Sequence, residues 1–229
     1  MSAIPSPSND LVKTVVIRLL LAFGLLAAAF FLPAGTLAYW EAWVYMGTLF
    51  VPLLFGAAYL FKNAPDLLER RMRTGEKEPE QKLILRLSVP IFSLVFLLPG
   101  FDRRYGWSAM PPAIAIAADV MVLLGLALFA LVLKENRYAS RVIEIEKEQK
   151  VITTGPYALI RHPMYLAALL IYVFSPLALG SYWAAIPAVL LIFILAARIR
   201  NEESVLLREL KGYREYTDQT KYRLLPGVW

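Results

Sequence analysis

Side chains able to do polar chemistry are scarce in this chain, and most of the useful ones gather at two points. The only histidine, His162, sits within Arg161-His162-Pro163-Met164-Tyr165, where a long apolar stretch begins. Further on, Arg198 precedes Asn201-Glu202-Glu203, where a second apolar stretch ends. An arginine beside a helix start favours a carboxylate or phosphate, because the first backbone N–H groups of a helix lack partners within it. Carboxylates such as Glu202 and Glu203 can hold ribose hydroxyls or a cationic centre. Tyr157 and Tyr165 offer ring faces to a heterocycle or a sulfonium. The chain has no cysteine, which excludes disulfides, thiolate nucleophiles and cysteine-bound metals. One histidine does not build a multi-histidine metal or haem site, so no metal is expected.

The elements that must position these residues are membrane helices. The 229 residues are 59% hydrophobic, with a mean hydropathy of +0.55, above the apolar share of ordinary soluble domains. Six stretches approach the length of a bilayer core, about 20 residues. They run from Val12 to Leu32, Trp43 to Phe61, Leu83 to Leu98, Pro112 to Leu133, Pro163 to Leu179 and Trp183 to Ala197. The expected fold is therefore all-α and polytopic, with six transmembrane helices or five plus a helical hairpin. The polar stretch Met1 to Asp10 carries no basic cluster, and the apolar run after it is too long for a signal-peptide core, so it reads as a retained span. With the N-terminus placed in the cytoplasm, every Lys and Arg except Arg103 and Arg104 falls on the inside, the positive-inside pattern. Both termini are then cytoplasmic, in the inner or plasma membrane for a bacterial chain. The net charge of +6 serves topology and anionic headgroups rather than nucleic acid.

Hairpin geometry links the two polar points. Gly155-Pro156-Tyr157 marks a turn, and Pro163 suits the first position of a helix, where its missing N–H is no loss. Gly180-Ser181-Tyr182 turns the chain at the far side. Spans five and six have similar lengths, so Arg198, Asn201, Glu202 and Glu203 return to the depth of Arg161 and His162. Taken singly, each residue also has an ordinary explanation. Arg161 fits the positive-inside pattern, His162 a helix cap, Glu202-Glu203 a solvated helix end, and the tyrosines interfacial aromatics. Convergence in one pocket distinguishes the functional reading, and a zwitterionic nucleoside matches that set.

Three other segments have legible patterns. Asn63-Ala64-Pro65-Asp66 reads as a helix start, with Leu67, Leu68 and Met72 on one side and Arg70, Arg71 and Arg73 following, up to Gly75. That piece reads as a short interfacial helix on headgroups. Lys134 to Thr154 is polar, and the alternation in Val142-Ile143-Glu144-Ile145-Glu146, with Val151-Ile152 beyond, fits a small strand pair or an extended lid. Past Arg198 the charged tail is expected to be helical to about Leu210. Two regions result, residues 1–133 with four spans and residues 134–229 with the polar pocket.

Thr154-Gly155-Pro156-Tyr157-x-x-x-Arg161-His162-Pro163-Met164-Tyr165 resembles the signature of the isoprenylcysteine carboxyl methyltransferase family, together with its phospholipid methyltransferase relatives. The helical hairpin, Glu202-Glu203, Leu206, Tyr213-x-x-Tyr216 and Leu225-Pro226 extend the resemblance from about Lys134 to Trp229. The first four spans match only as generic membrane helices.

The resemblance implies a membrane methyltransferase using S-adenosyl-L-methionine at the cytoplasmic face, with a lipid or prenylated small-molecule or peptide acceptor. It implies cofactor contacts at Gln149, Lys150, Val151, Ile152, Tyr157, His162, Pro163, Met164, Tyr165 and Glu202. Arg198 falls on a substrate-facing arginine position one helical turn before Glu202. Arg161 is a second candidate for orienting an acceptor carboxylate. Glu203 or His162 would serve as base if the acceptor were an amine. Two positions depart from the family pattern: Ala167 stands where glycine is frequent, and Gln149 where histidine is. Neither removes a charged group. O-methylation of a carboxylate is the leading expectation. The alternatives are phospholipid amine N-methylation, an NADPH-dependent reductase of the sterol-reductase kind, and a non-enzymatic membrane protein. Acceptor identity and oligomeric state are not legible.

Overall fold

The computed structural model describes residues 8–73, 75, 78–139 and 149–229. Among these residues the chain is all-helical, with eight α-helices and no strand. The helices are α1 (Asn9–Ala34), α2 (Trp40–Asn63), α3 (Pro65–Met72), α4 (Pro79–Tyr105), α5 (Pro112–Glu135), α6 (Pro163–Ala178), α7 (Ala185–Glu209) and α8 (Tyr213–Gln219). Four of them, α1, α2, α4 and α5, are long and apolar enough to cross a membrane, and α6 is a shorter apolar helix. The alternating segment 142–146, read as a strand pair or lid, lies outside the described residues.

Local chemistry explains the boundaries. Ser8 caps α1, its hydroxyl accepting from the Leu11 N–H at 3.1 Å, and Gly35 ends the helix in the left-handed region. Proline stands in the first turn of α3, α4, α5 and α6. The third span is longer than its apolar core, Leu83–Leu98, because Pro79 starts α4 and Gly106 ends it. The stretch read as a sixth span and the charged tail are one helix, α7, which is not among the helices apolar enough over their length to cross a membrane. Nothing between Ala197 and Glu209 breaks it, so an apolar first half runs straight into Arg198 and Glu202.

The helices meet closely where small residues allow. A Cβ on Gly125 of α5 would sit 2.9 Å from the Ala167 carbonyl of α6, and one on Gly100 of α4 would sit 2.6 Å from the Phe30 carbonyl of α1. The buried Ala167 thus keeps a close approach whose glycine is supplied by α5. An aromatic and aliphatic core, with Phe30, Tyr45 and Leu179 among its most buried members, joins α1, α2, α5 and α6. Tyr45 and Ser175 share a 2.5 Å hydrogen bond within it, and the Tyr39 hydroxyl donates to the Leu179 carbonyl. This packing fixes α6, and with it the start of the polar site.

The short helix α3 is tied into the bundle rather than only lying on headgroups. Leu67 and Leu68 are buried, and Arg18 of α1 donates to the Met72 carbonyl at 2.7 Å. Arg70 donates to the Arg137 carbonyl at 2.6 Å.

Candidate functional site

At the end of the bundle that carries α3, the start of α6 meets the second half of α7. Pro163 begins α6, and His162 precedes it without capping the helix through its side chain. The imidazole turns instead towards α7, placing Nε2 3.3 Å from Glu203 Oε1. A carboxylate only accepts, so that geometry puts the ring proton on Nε2. Arg161 Nε lies 3.0 Å from the same oxygen, and Arg223 Nε donates to Oε2 at 2.5 Å. The side chains of Arg161, His162 and Glu203 are each no more than 9% exposed. Burial opposes ionisation of Glu203, but the hydrogen bonds from His162 and Arg223 and the charges of His162 and Arg161 outweigh it. Its carboxyl is held below the ordinary glutamate range.

The C-terminal segment completes this clamp. The N–H groups of Arg161 and His162 donate to the carbonyls of Tyr222 and Arg223, both at 2.9 Å. Buried Tyr213 and Tyr216 of α8 pack with Leu210 against Val151, Tyr157 and Leu206. The Tyr216 hydroxyl donates to the Tyr157 carbonyl at 2.7 Å, while the Tyr157 hydroxyl accepts from Asn136 at 2.8 Å. Burial pushes the Tyr157 phenol up to about 12, more than the Asn136 bond offsets, so it is a neutral group at physiological pH.

Beside the clamp lies a cavity of about 690 Å³, within the range of about 300–1,000 Å³ usual for small-molecule sites. Gln149, Lys150, Val151, Ile152, Tyr157, Arg161, His162, Pro163, Met164, Tyr165, Arg198 and Glu202 all line it. Tyr165 links the two helices there. Its hydroxyl donates to Glu202 Oε2 at 2.5 Å and accepts from Arg198 Nε at 2.9 Å. Arg198 and Glu202 lie one turn apart on α7, so both reach the same tyrosine. Glu203, one residue on, points to the other side of the helix and is absent from the lining. Asn201 also turns away, accepting from Gln81 of α4 at 2.7 Å.

Several lining residues carried no local signal in the sequence. Ser88, Val89 and Phe92 of α4 line the cavity with Tyr172, Leu191 and Leu195, a largely apolar group. Arg71 of α3 and Asn136 border its polar part. Arg223 had no motif around it. The spacing Tyr213-x-x-Tyr216 places both rings on one helix face, which is the only trace α8 left in the sequence.

Four helices long and apolar enough to cross a membrane, packed around a cavity with polar and apolar lining, support an integral membrane protein. Residues 115–208 match the model of the isoprenylcysteine carboxyl methyltransferase (ICMT) family, which supports an ICMT-like assignment and a membrane methyltransferase. The match takes in nearly all of α5, all of α6 and α7 up to Arg208, and so contains the Tyr165–Arg198–Glu202 link. No curated protein matches the chain. Among the described residues, no group of three or more His, Cys, Asp or Glu side chains could hold a metal ion.

Proposed function

We propose that this protein transfers a methyl group from S-adenosyl-L-methionine to the carboxylate of a lipidic or prenylated acceptor, in a site facing the cytoplasm. The observation that carries the reading is the convergence of Arg198, Tyr165 and Glu202 in one cavity that apolar residues of α4 also line.

The donor set suits the cofactor. Glu202 can accept from ribose hydroxyls, and Tyr157 with Ile152 and Val151 forms a mixed aromatic and apolar wall for a heterocycle. Bound there, the cofactor would supply a methyl group on a sulfonium, which passes to a nucleophile as the sulfur leaves as a neutral thioether. An acceptor carboxylate is nucleophilic without losing a proton, so the chain's task is to hold it in line and exclude water. Arg198 is the orienting cation. It stands one turn beyond Leu195, which lines the same cavity.

The two residues expected as bases are committed elsewhere. His162 Nε2 donates to Glu203, and the Glu203 carboxylate is shared among Arg161, His162 and Arg223. Glu203 therefore holds the clamp that fixes the start of α6, and Arg161, which also lines the cavity, is held by its Nε on that clamp. This supports an anionic acceptor over an amine.

Calorimetry of the purified protein with S-adenosylmethionine, S-adenosylhomocysteine and NADPH tests the reading. Both adenosyl ligands should bind and NADPH should not. Absence of adenosyl binding sinks the methyltransferase, and NADPH binding alone would favour a reductase. Arg198→Ala should raise the acceptor KM about tenfold or more while leaving cofactor affinity within about twofold, a loss in line with removing a charge-assisted hydrogen bond.

A further inference from the structure

One of the cations that line the cavity comes from outside the family-matched region. Arg71 lies on α3, which the sequence presents as part of a basic run of the kind that meets headgroups. Its neighbour Arg70 does not line the cavity; it donates to the Arg137 carbonyl and lies over the Tyr138 ring. Arg71 turns inward. Its Nη1 is 3.7 Å from the Met164 sulfur at the start of α6, its guanidinium carbon is 5.0 Å from the centre of the Phe129 ring, and it lines the cavity. The side chain is half-buried, so a charge it meets is screened less than one at the surface. The ties from Arg18 to Met72 and from Arg70 to Arg137 hold α3 in place, so the guanidinium is presented by a fixed element.

Four cations thus line the cavity, Arg71, Lys150, Arg161 and Arg198. Lys150 is exposed and Arg161 also meets Glu203, whereas Arg198 lies on α7 one turn after the lining residue Leu195. Arg71 stands next to Met164 and acts electrostatically on Tyr157, both of which line the cavity. The reaction proposed above brings two anions into the site, one on the acceptor and one on the amino-acid end of the cofactor. Building on that reading, we infer that Arg71 binds the carboxylate of the cofactor's amino-acid moiety, leaving Arg198 for the acceptor. A planar guanidinium backed by Phe129 and Met164 suits that task, since stacking holds the fork while its N–H groups face the carboxylate.

The test compares two ligands on the full chain in detergent, S-adenosylhomocysteine and its decarboxylated analogue, which keeps the nucleoside and the amine. Wild type should prefer the carboxylated ligand by about 10- to 100-fold, as a charge-assisted pair supports. Arg71→Met keeps the apolar packing and should abolish that preference, weakening S-adenosylhomocysteine while leaving the analogue within about twofold. Arg71→Lys should restore part of the preference. An undiminished preference in Arg71→Met, or an equal loss for both ligands, overturns the assignment. If wild type binds neither ligand, the cofactor reading itself falls, and the Arg71 assignment falls with it.

Discussion

Two buried carboxylates stand at opposite ends of the bundle, and their surroundings differ in kind. Asp102, near the end of α4, accepts from the Ser108 N–H at 2.7 Å, the Ser108 hydroxyl at 2.6 Å and the Ser181 hydroxyl at 2.5 Å. Every one of these donors is neutral, and together they tie α4 to the turn between α6 and α7. Glu203 is met by two arginines and an imidazole instead, next to a cavity. Neutral donors satisfy a buried acid and leave nothing over for a ligand. A carboxylate ringed by cations holds those cations in fixed positions beside a space that a ligand can enter. The comparison separates a staple of neutral donors from a clamp of charges beside the cavity, although both acids are almost fully buried.

The largest way to break that contrast is Glu203→Ala. It leaves Arg161 and His162 buried without their counter-charge and should cost about 3–5 kcal/mol, read as thermal unfolding in detergent, together with loss of adenosyl-ligand binding. Acid offers a gentler version of the same test. Because the Glu203 carboxyl is held below its ordinary range, its contribution is full above the unfolded value, about 4.3, and fades as pH falls through the lower native value. Stability profiles of wild type and Glu203→Gln should therefore converge at low pH and separate towards neutrality. A constant gap across the titration would show that the charge of Glu203 is not what matters. The smallest effect belongs to the other end. Asp102→Asn keeps an acceptor, the serine hydroxyls can rotate to accept, and the change should cost about 1–2 kcal/mol. Adenosyl-ligand affinity should stay unchanged by calorimetry, and a marked loss there would erase the distinction between the two ends.

Much of the bundle was legible because helix length and hydropathy are local properties. The starts of α3, α5 and α6 follow from Pro65, Pro112 and Pro163, and the convergence of Arg161-His162 with Glu202-Glu203 follows from the similar lengths of two consecutive spans. The division of labour between Glu202 and Glu203 was not legible. Adjacent residues on a helix point about 100° apart, and only the packing of α7 against α6 decides which one meets the cavity. Asn201 was misjudged for the same reason, since α4 claims its side chain. Arg223 and Arg71 were hidden differently. Each reaches the site from a segment whose own pattern says nothing about where it docks.

The sequence by itself determined a membrane-embedded helical bundle and the residue types of the polar turn before α6, because apolar run length, proline placement and the Arg161–Tyr165 motif are all properties of neighbours along the chain. Only the tertiary structure decided which charges face the cavity and which face one another. Glu203 meets Arg161 and Arg223 without lining the cavity itself, whereas Arg198, Tyr165, Glu202 and Arg71 border it. The physical reason is that a buried charge must find its partner at about 3 Å. That distance is set by which helices pack together, and spacing along the chain does not reveal it.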